Sequence, residues 1–567
     1  MSLGLTQRII LVFSLLIALF FGVRISMVTA DVPKWGLYNY SQIDESYYNL
    51  LALNFYKTYQ LHSVEMDGVL KATYAENLLA NAITTVSLFI FGDNYYGFRL
   101  GHILFSTFAF FLFLLLVYKA TRALNEKLAI WNTLLLGLIF SCSQSLVWPN
   151  VINEPTGTRL SIIIIFVYMA TFWLEKNVNK NLSDSKFAFN IGLLAAFCWL
   201  FVYPSNVFLI PTSFIILLVA AEKQIRKDYK SAVKPLMSWF GAIAFTAIIF
   251  AIFRALLLTQ GENLSYSNFS DRIFQYSPLQ SFDLLLKSSF LRDNFSAAIM
   301  LQLSLGILFF SRKIKSSQFL VVSTSLYFLV LQLLFINDYP FRKTIVLFPL
   351  LLLLFPYAYH ALGRFKFSFY SLLTLLFLTV LSGVTFYLFY SSFQSEADRT
   401  LFAISAAMLA AVLACILFLK NNIAQKCMYV VLIMSSISSA MQLSAMSAAK
   451  TENFKYCMQS LNKSLPKDSF VFGFSHGFWL YNSWTPVGDE YVYNYNYPPE
   501  KQENDADVLY RKFNGERSIF KIALVPQSKI DQSRWAIVKD IDFCTDNPYA
   551  RPANDHQKLF LLRYNGK

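Results

Sequence analysis

Apolar positions along this chain do not recur every third or fourth place, as on a helix half-buried in a soluble core. They run unbroken for roughly the 20 residues a helix needs to cross a bilayer, then stop at short polar clusters. Runs of this kind occupy 9–28, 96–118, 128–148, 160–174, 187–203, 207–221, 236–258, 295–310, 319–336, 344–362, 369–390, 401–419 and 427–446, which predicts about thirteen spans. The segment 38–92 breaks the pattern. Asp44, Glu45, Lys57, Glu65, Asp67, Lys71 and Glu76 interrupt it too often for a lipid-facing span, so it reads as a loop with helices lying along the interface. Tyr203-Pro204-Ser205-Asn206 reads as a tight turn between two short helices, because proline stops the first. From Lys450 the chain becomes polar and patterned as mixed α/β: a helix near 453–465, then strands at SFVFGF, IFKIALVP and KLFLLRY. The expected fold is an all-α polytopic membrane protein with a small C-terminal α/β domain. Its division is 1–449, containing a loop at 31–95, and 450–567.

Composition agrees with that class: 56% of residues are hydrophobic and 14% charged, with mean hydropathy +0.46. A single soluble core is excluded. The formal net charge of +14 does not point to nucleic acid, since its Lys and Arg residues sit in short clusters between apolar runs, where they set topology. Every second connection carries such a cluster: Lys119/Arg122/Lys127, Lys176/Lys180/Lys186, Lys223/Arg226/Lys227/Lys230/Lys234, Arg312/Lys313/Lys315, Arg364/Lys366 and Lys420/Lys426. With these cytoplasmic, the acidic loop, the connections 150–158, 261–294 and 337–343, and the tail all lie outside. The expected location is a bacterial inner membrane, crossed many times, with the tail in the periplasm. Val28-Thr29-Ala30 resembles a signal-peptidase site, so cleavage after the first run stays an alternative. Cys142, Cys198, Cys415 and Cys427 belong to apolar spans, while Cys457 and Cys544 lie in the tail, where their pairing stays open. No CxxC or Cys/His cluster indicates zinc.

In so uncharged a chain, acids near the bilayer surface are candidate chemistry. Asp44 and Glu45 are consecutive, so on a helix they diverge by about 100° and only one faces a given site. Shielding by apolar helices disfavours a charged carboxylate and makes it a better base for an alcohol. The competing reading is an acid favourable to a helix N-terminus. Glu154 is the second acid on the same face, and its competing reading is a cap. Among the cations, Arg24 and Arg254 lie inside the outer ends of their spans, Arg99, Arg342 and Lys343 at outer helix ends, Lys71 in the acidic loop and Arg159 just after Glu154. Cations on the outer side run against the topology bias. A bound anion explains them; snorkelling to lipid phosphate is the alternative for each.

Four stretches in order carry a resemblance: DESYYNLLA from Asp44, Lys71-Ala72-Thr73-Tyr74-Ala75-Glu76-Asn77, then LFIFGDNYYGFRL, then Asn153-Glu154-Pro155. This order resembles the GT-C membrane glycosyltransferases, in particular the group of protein O-mannosyltransferases and the lipid A aminoarabinose transferase. Ala72-Thr73 stands where that group has Pro-Pro, and no Trp-Trp-Asp motif of the asparagine-linked oligosaccharyltransferases is present. The resemblance implies transfer of a hexose or pentose from a polyprenyl-phosphate carrier to a lipid, glycan or protein acceptor on the outer face, with inversion at the anomeric carbon. Asp44, with Glu45 and Glu154, would supply the catalytic carboxylates. Lys71, Arg254, Arg342, Lys343, Arg99 and Arg159 would hold substrate and phosphate. A divalent metal stays open, as Asp44 with Glu154 would make a sparse site for one. The competing class is a lipid-linked-sugar transporter or flippase without catalysis, marked by acids or Gly/Pro-broken helices near the membrane midplane and two matching halves. Neither mark is seen.

Overall fold

The computed structural model describes residues 4–30, 77–151, 155–178, 185–227, 229–257, 316–335, 344–363, 421–448, 470–473, 518–525, 530–540 and 558–566, with a few isolated positions beside them. The helices are α1 Leu5–Ser26, α2 Leu78–Phe91, α3 Tyr95–Leu124, α4 Glu126–Cys142, α5 Gln144–Val151, α6 Pro155–Val178, α7 Ser185–Phe197, α8 Leu209–Lys227, α9 Val233–Leu257, α10 Ser317–Phe335, α11 Leu347–Gly363 and α12 Asn421–Ala448. Among the described residues, six helices are long and apolar enough to cross a membrane. The expected runs at 295–310, 369–390 and 401–419 lie outside the described residues.

One core joins the helices. Phe20 of α1 stacks on Phe110 of α3 with centroids 4.3 Å apart, and Phe140 of α4 packs on Phe113 at 4.7 Å. Lipid is as apolar as these side chains, so helix contacts in a membrane need close packing and polar ties. The ties are present: Gln318 of α10 donates to the Leu116 carbonyl at 3.1 Å, Gln425 of α12 to the Tyr359 carbonyl at 2.9 Å, and Trp239 of α9 to the Ser213 hydroxyl at 3.0 Å.

A departure from the expected pattern and a short helix together shape one end of the bundle. The run 128–148 is not one span. Helix α4 stops at Cys142, the chain turns at Ser143, and α5 carries Pro149 inside it. The expected 150–158 connection is correspondingly shorter, because α5 reaches Val151 and α6 begins at Pro155. Gly157 makes this corner possible: a Cβ there would lie 1.7 Å from the Pro149 carbonyl oxygen.

Helix α2 falls in the segment expected to carry helices along the interface; it is too short to span and packs on α3. Asn94 caps α3 by accepting from the amides of Tyr96 at 2.8 Å and Gly97 at 3.1 Å. A Cβ on Gly97 would fall 1.8 Å from the Gly92 carbonyl oxygen, so the hairpin closes only with glycine there. Helix α2 is inside out. Asn81, Thr84, Thr85 and Ser87 are buried, whereas Val86, Phe89, Ile90 and Phe91 are exposed. That distribution suits a helix with lipid on one side and a polar interior on the other.

The tail contains a four-stranded sheet in the order β1-β2-β4-β3, with β1 Phe470–Gly473, β2 Ile519–Val525, β3 Trp535–Asp540 and β4 Lys558–Tyr564. Strands β1 and β2 are parallel; β4 lies antiparallel to both β2 and β3. The three expected strands are there. The fourth, β3, was not expected, because WAIVKD alternates too weakly and a bulge at Ile537/Lys539 breaks its register. Asp531 organises the turn into β3: the Ser533 hydroxyl and amide donate to its carboxylate, holding that carboxyl below the usual range. The expected helix at 453–465 and the cysteines Cys457 and Cys544 lie outside the described residues, apart from Leu465.

Candidate functional site

The end of the bundle where α5 meets α6 collects buried cations. Arg24, near the end of α1, is fully buried, with its guanidinium carbon 3.4 Å from the centre of the Phe20 ring. Its Nη1 donates to the carbonyls of Ser141 at 2.9 Å and Phe20 at 3.3 Å, and its Nη2 to those of Leu146 at 3.2 Å and Phe140 at 3.5 Å. Two of these carbonyls, those of Phe140 and Ser141, belong to the last turn of α4, where it breaks before α5. A helix end exposes unpaired carbonyls and a partial negative charge, and a guanidinium offers a rigid fork of donors to meet both. Arg24 therefore neither snorkels nor waits for an anion; it seals the break.

Arg99 stands in the first turns of α3. It is buried, and its Nη1 donates to the carbonyls of Val28 at 2.8 Å and Ala30 at 2.9 Å, tying the chain beyond α1 to α3. One turn on, His102 is buried between α2 and α6, with Nε2 2.8 Å from the Thr84 hydroxyl and Nδ1 3.2 Å from the Thr158 hydroxyl. The Thr84 hydroxyl also donates to the Ala80 carbonyl at 3.1 Å. The Thr84 hydroxyl thus has both the Ala80 carbonyl and Nε2 within reach, and which ring nitrogen donates follows the tautomer. The imidazole joins three helices through two hydroxyls.

Arg159 follows Thr158 and is buried as deeply. Its Nε donates to the Asn206 side-chain oxygen at 2.9 Å and its Nη2 to the Ser205 carbonyl at 3.2 Å; the Tyr203 ring lies 5.9 Å away. These partners come from the expected turn after α7. The chain widens there into a π-helical turn, Cys198–Val202, followed by a 3-10 turn, Pro204–Asn206. The Cys198 carbonyl takes the turn's own bond from the Tyr203 N–H at 3.3 Å and also accepts from the Asn206 side-chain amide at 3.0 Å. Arg254, near the end of α9, is half-buried and belongs to the same end, because Phe201 of the π-turn packs on Phe250 and Phe253 at 5.3 and 6.3 Å.

The opposite end carries paired charge: Lys119 with Glu175, and Arg122 with Glu126 at 3.5 Å. Of the expected site residues, Arg99 and Arg159 lie on helices joined by the His102–Thr158 contact, each bonded to its own partners, with Arg254 at the same end. Asp44, Glu45, Lys71, Glu154, Arg342 and Lys343 lie outside the described residues. His102 and Asn206 were missed. The signal for His102 was present, a lone ionisable residue within a span three places from Arg99; Asn206 sits in a turn whose sequence shows only the break. Among the described residues no group of three His, Cys, Asp or Glu side chains is placed to hold a metal ion.

No family model matches the sequence, and no curated protein matches it by sequence. Solved structures do match. ArnT from Cupriavidus metallidurans bound to undecaprenyl phosphate superposes with a TM-score of 0.57 at 9% identity, over 99% of this chain and 98% of that one. ArnT in the apo state gives 0.52 at 10% identity, over 98% of each chain. The Archaeoglobus fulgidus oligosaccharyltransferase in the apo form is more distant, with a TM-score of 0.43 at 12% identity, over 91% of this chain and 69% of that one. The chain therefore has the fold of ArnT.

Proposed function

We propose that this protein is an integral membrane glycosyltransferase that moves a sugar from a polyprenyl-phosphate carrier to a lipid, glycan or protein acceptor. The observation that carries the reading is the ArnT fold over the whole chain, in a relative solved with undecaprenyl phosphate bound, together with Arg99, Arg159 and Arg254 at one end of the bundle. Breaking the bond between sugar and phosphate leaves negative charge on the departing phosphate. Preorganised cations in a water-poor site stabilise that charge more than water does. Lys71, Arg342 and Lys343 join Arg99, Arg159 and Arg254 as candidate phosphate ligands. Asp44 takes the proton of the acceptor hydroxyl as it attacks the anomeric carbon from the side opposite the phosphate, which inverts that carbon. Glu154 orients the acceptor or Asp44, and Glu45 points away from the reacting centre.

On this reading residues 1–449 form the catalytic membrane domain, with the loop 31–95 over the site, and residues 450–567 form a periplasmic domain. The arginine-rich end faces outward and the Lys119–Glu175 end faces the cytoplasm. The test is incubation of the purified protein with a radiolabelled polyprenyl-phosphate sugar and a cell-envelope acceptor extract. Acceptor-dependent release of free polyprenyl phosphate is the expected result. Binding and transbilayer movement of the intact lipid-linked sugar, with no release, would make the protein a flippase instead.

A further inference from the structure

We infer that Asn206 is a positioning residue that holds Arg159 as a ligand for the phosphate of the lipid carrier, through a clamp that leaves the arginine's charge uncompensated. The inference deepens the transferase reading and rests on it. Removing a charge from water costs several kcal/mol, and proteins normally offset this with a counter-ion. Arg159 is 1% exposed, yet its acceptors among the described residues are neutral: the Asn206 amide oxygen and the Ser205 carbonyl. Its Nη1 is buried with no hydrogen-bond partner among the described residues.

The clamp is itself braced. Asn206 is completely buried, and its amide nitrogen is spent on the Cys198 carbonyl, so its oxygen is turned toward Arg159. A π-helical turn is a costly local geometry that recurs at functional sites, and here it supplies that carbonyl. Arg24 shows the contrast: four carbonyl contacts use both of its terminal nitrogens. Arg159 keeps one terminal nitrogen and its charge in reserve, which is what a forked contact to a phosphate oxygen requires. An aspartate at position 206 would be nearly the same shape and would pair the buried cation better. The choice of the amide is explained if the charge is needed elsewhere.

The decisive variant is therefore Asn206→Asp. It introduces a carboxylate against Arg159, so the two possible roles of the arginine predict opposite results. The full-length protein is purified in detergent, its thermal unfolding followed, and its affinity measured for undecaprenyl phosphate and for undecaprenol, with phosphatidic acid as a competitor. The expected outcome is an unfolding temperature equal to or above wild type, about a tenfold or greater loss of undecaprenyl-phosphate affinity, since a charge-assisted contact is worth that much, and unchanged undecaprenol affinity. Arg159→Gln, which can still bond Asn206, should lose phosphate affinity to a similar degree and serves if Asn206→Asp does not fold. Phosphatidic acid should displace the wild-type ligand only in large excess; equal displacement would overturn the assignment to the carrier. Wild-type discrimination between undecaprenyl phosphate and undecaprenol that survives in both variants would overturn the clamp alone. If wild type itself does not discriminate, the transferase reading falls with it.

Discussion

Arg24 and Arg159 illustrate how differently two buried arginines at one end of a bundle can be used. For Arg24 the carbonyls of Phe140 and Ser141 would lose this donor if the guanidinium were removed, whereas the Leu146 carbonyl keeps the Asn150 side-chain amide at 2.8 Å. Orphaning a buried acceptor costs about 1–3 kcal/mol, so Arg24→Met should destabilise the protein by about 3 kcal/mol or more, with Arg24→Lys recovering part of it. Thermal unfolding of the purified protein measures this. Donor affinity among stable variants should stay at the wild-type level, unlike that of Arg159 variants. His102 gives a second prediction: Thr84→Val and Thr158→Val each leave one ring nitrogen without its hydroxyl and should each cost about 1–3 kcal/mol in the same assay. The sequence located Arg24 and Arg159 but not their partners, and it did not single out His102. Arg24 was visible as a charge inside an apolar run, yet the α4 carbonyls it meets are open only because α4 breaks at Ser143, and the short polar stretch Ser141-Cys142-Ser143-Gln144-Ser145 is all that marks the break within the run 128–148.

Among the elements, those with strong periodicity or length were legible and those defined by close approach were not. Helix α3 and the strands β2 and β4 fall where the pattern placed them. Helix α2 lies in a segment read as interfacial, but its reversed polarity becomes meaningful only beside α3, where Thr84 meets His102 and the Ser87 hydroxyl accepts from the Gly101 amide at 3.1 Å. The α5–α6 corner depends on Gly157. Adding a methyl group 1.7 Å from the Pro149 oxygen must push two backbones apart, and overpacking of this kind costs about 1–3 kcal/mol. Gly157→Ala should lower the unfolding temperature accordingly, and it should also weaken undecaprenyl-phosphate binding, because Thr158 and Arg159 are carried on the displaced turn. Unchanged stability would mean that the corner opens freely.

Over the whole molecule, the alternation of basic clusters with apolar runs was the most informative feature of the sequence. It separated Lys119 and Arg122 from Arg99, Arg159 and Arg254, and the contacts place these two sets at opposite ends. What the alternation could not supply was a catalytic geometry, since that depends on which helices meet and not on how many there are. The proposed orientation predicts that single cysteines placed at 223–234, in a background without native cysteines, resist an impermeant thiol reagent in intact cells, while those in the β1–β4 sheet react. The central claim is chemical, and Asp44 tests it most directly. Asp44→Asn keeps the shape of the side chain but cannot accept the acceptor's proton, and a positioned base contributes typically 10²–10⁴-fold to rate. Sugar transfer and undecaprenyl-phosphate binding measured on the same Asp44→Asn preparation should show transfer reduced at least about 100-fold with binding intact; near-normal transfer would contradict the proposed mechanism.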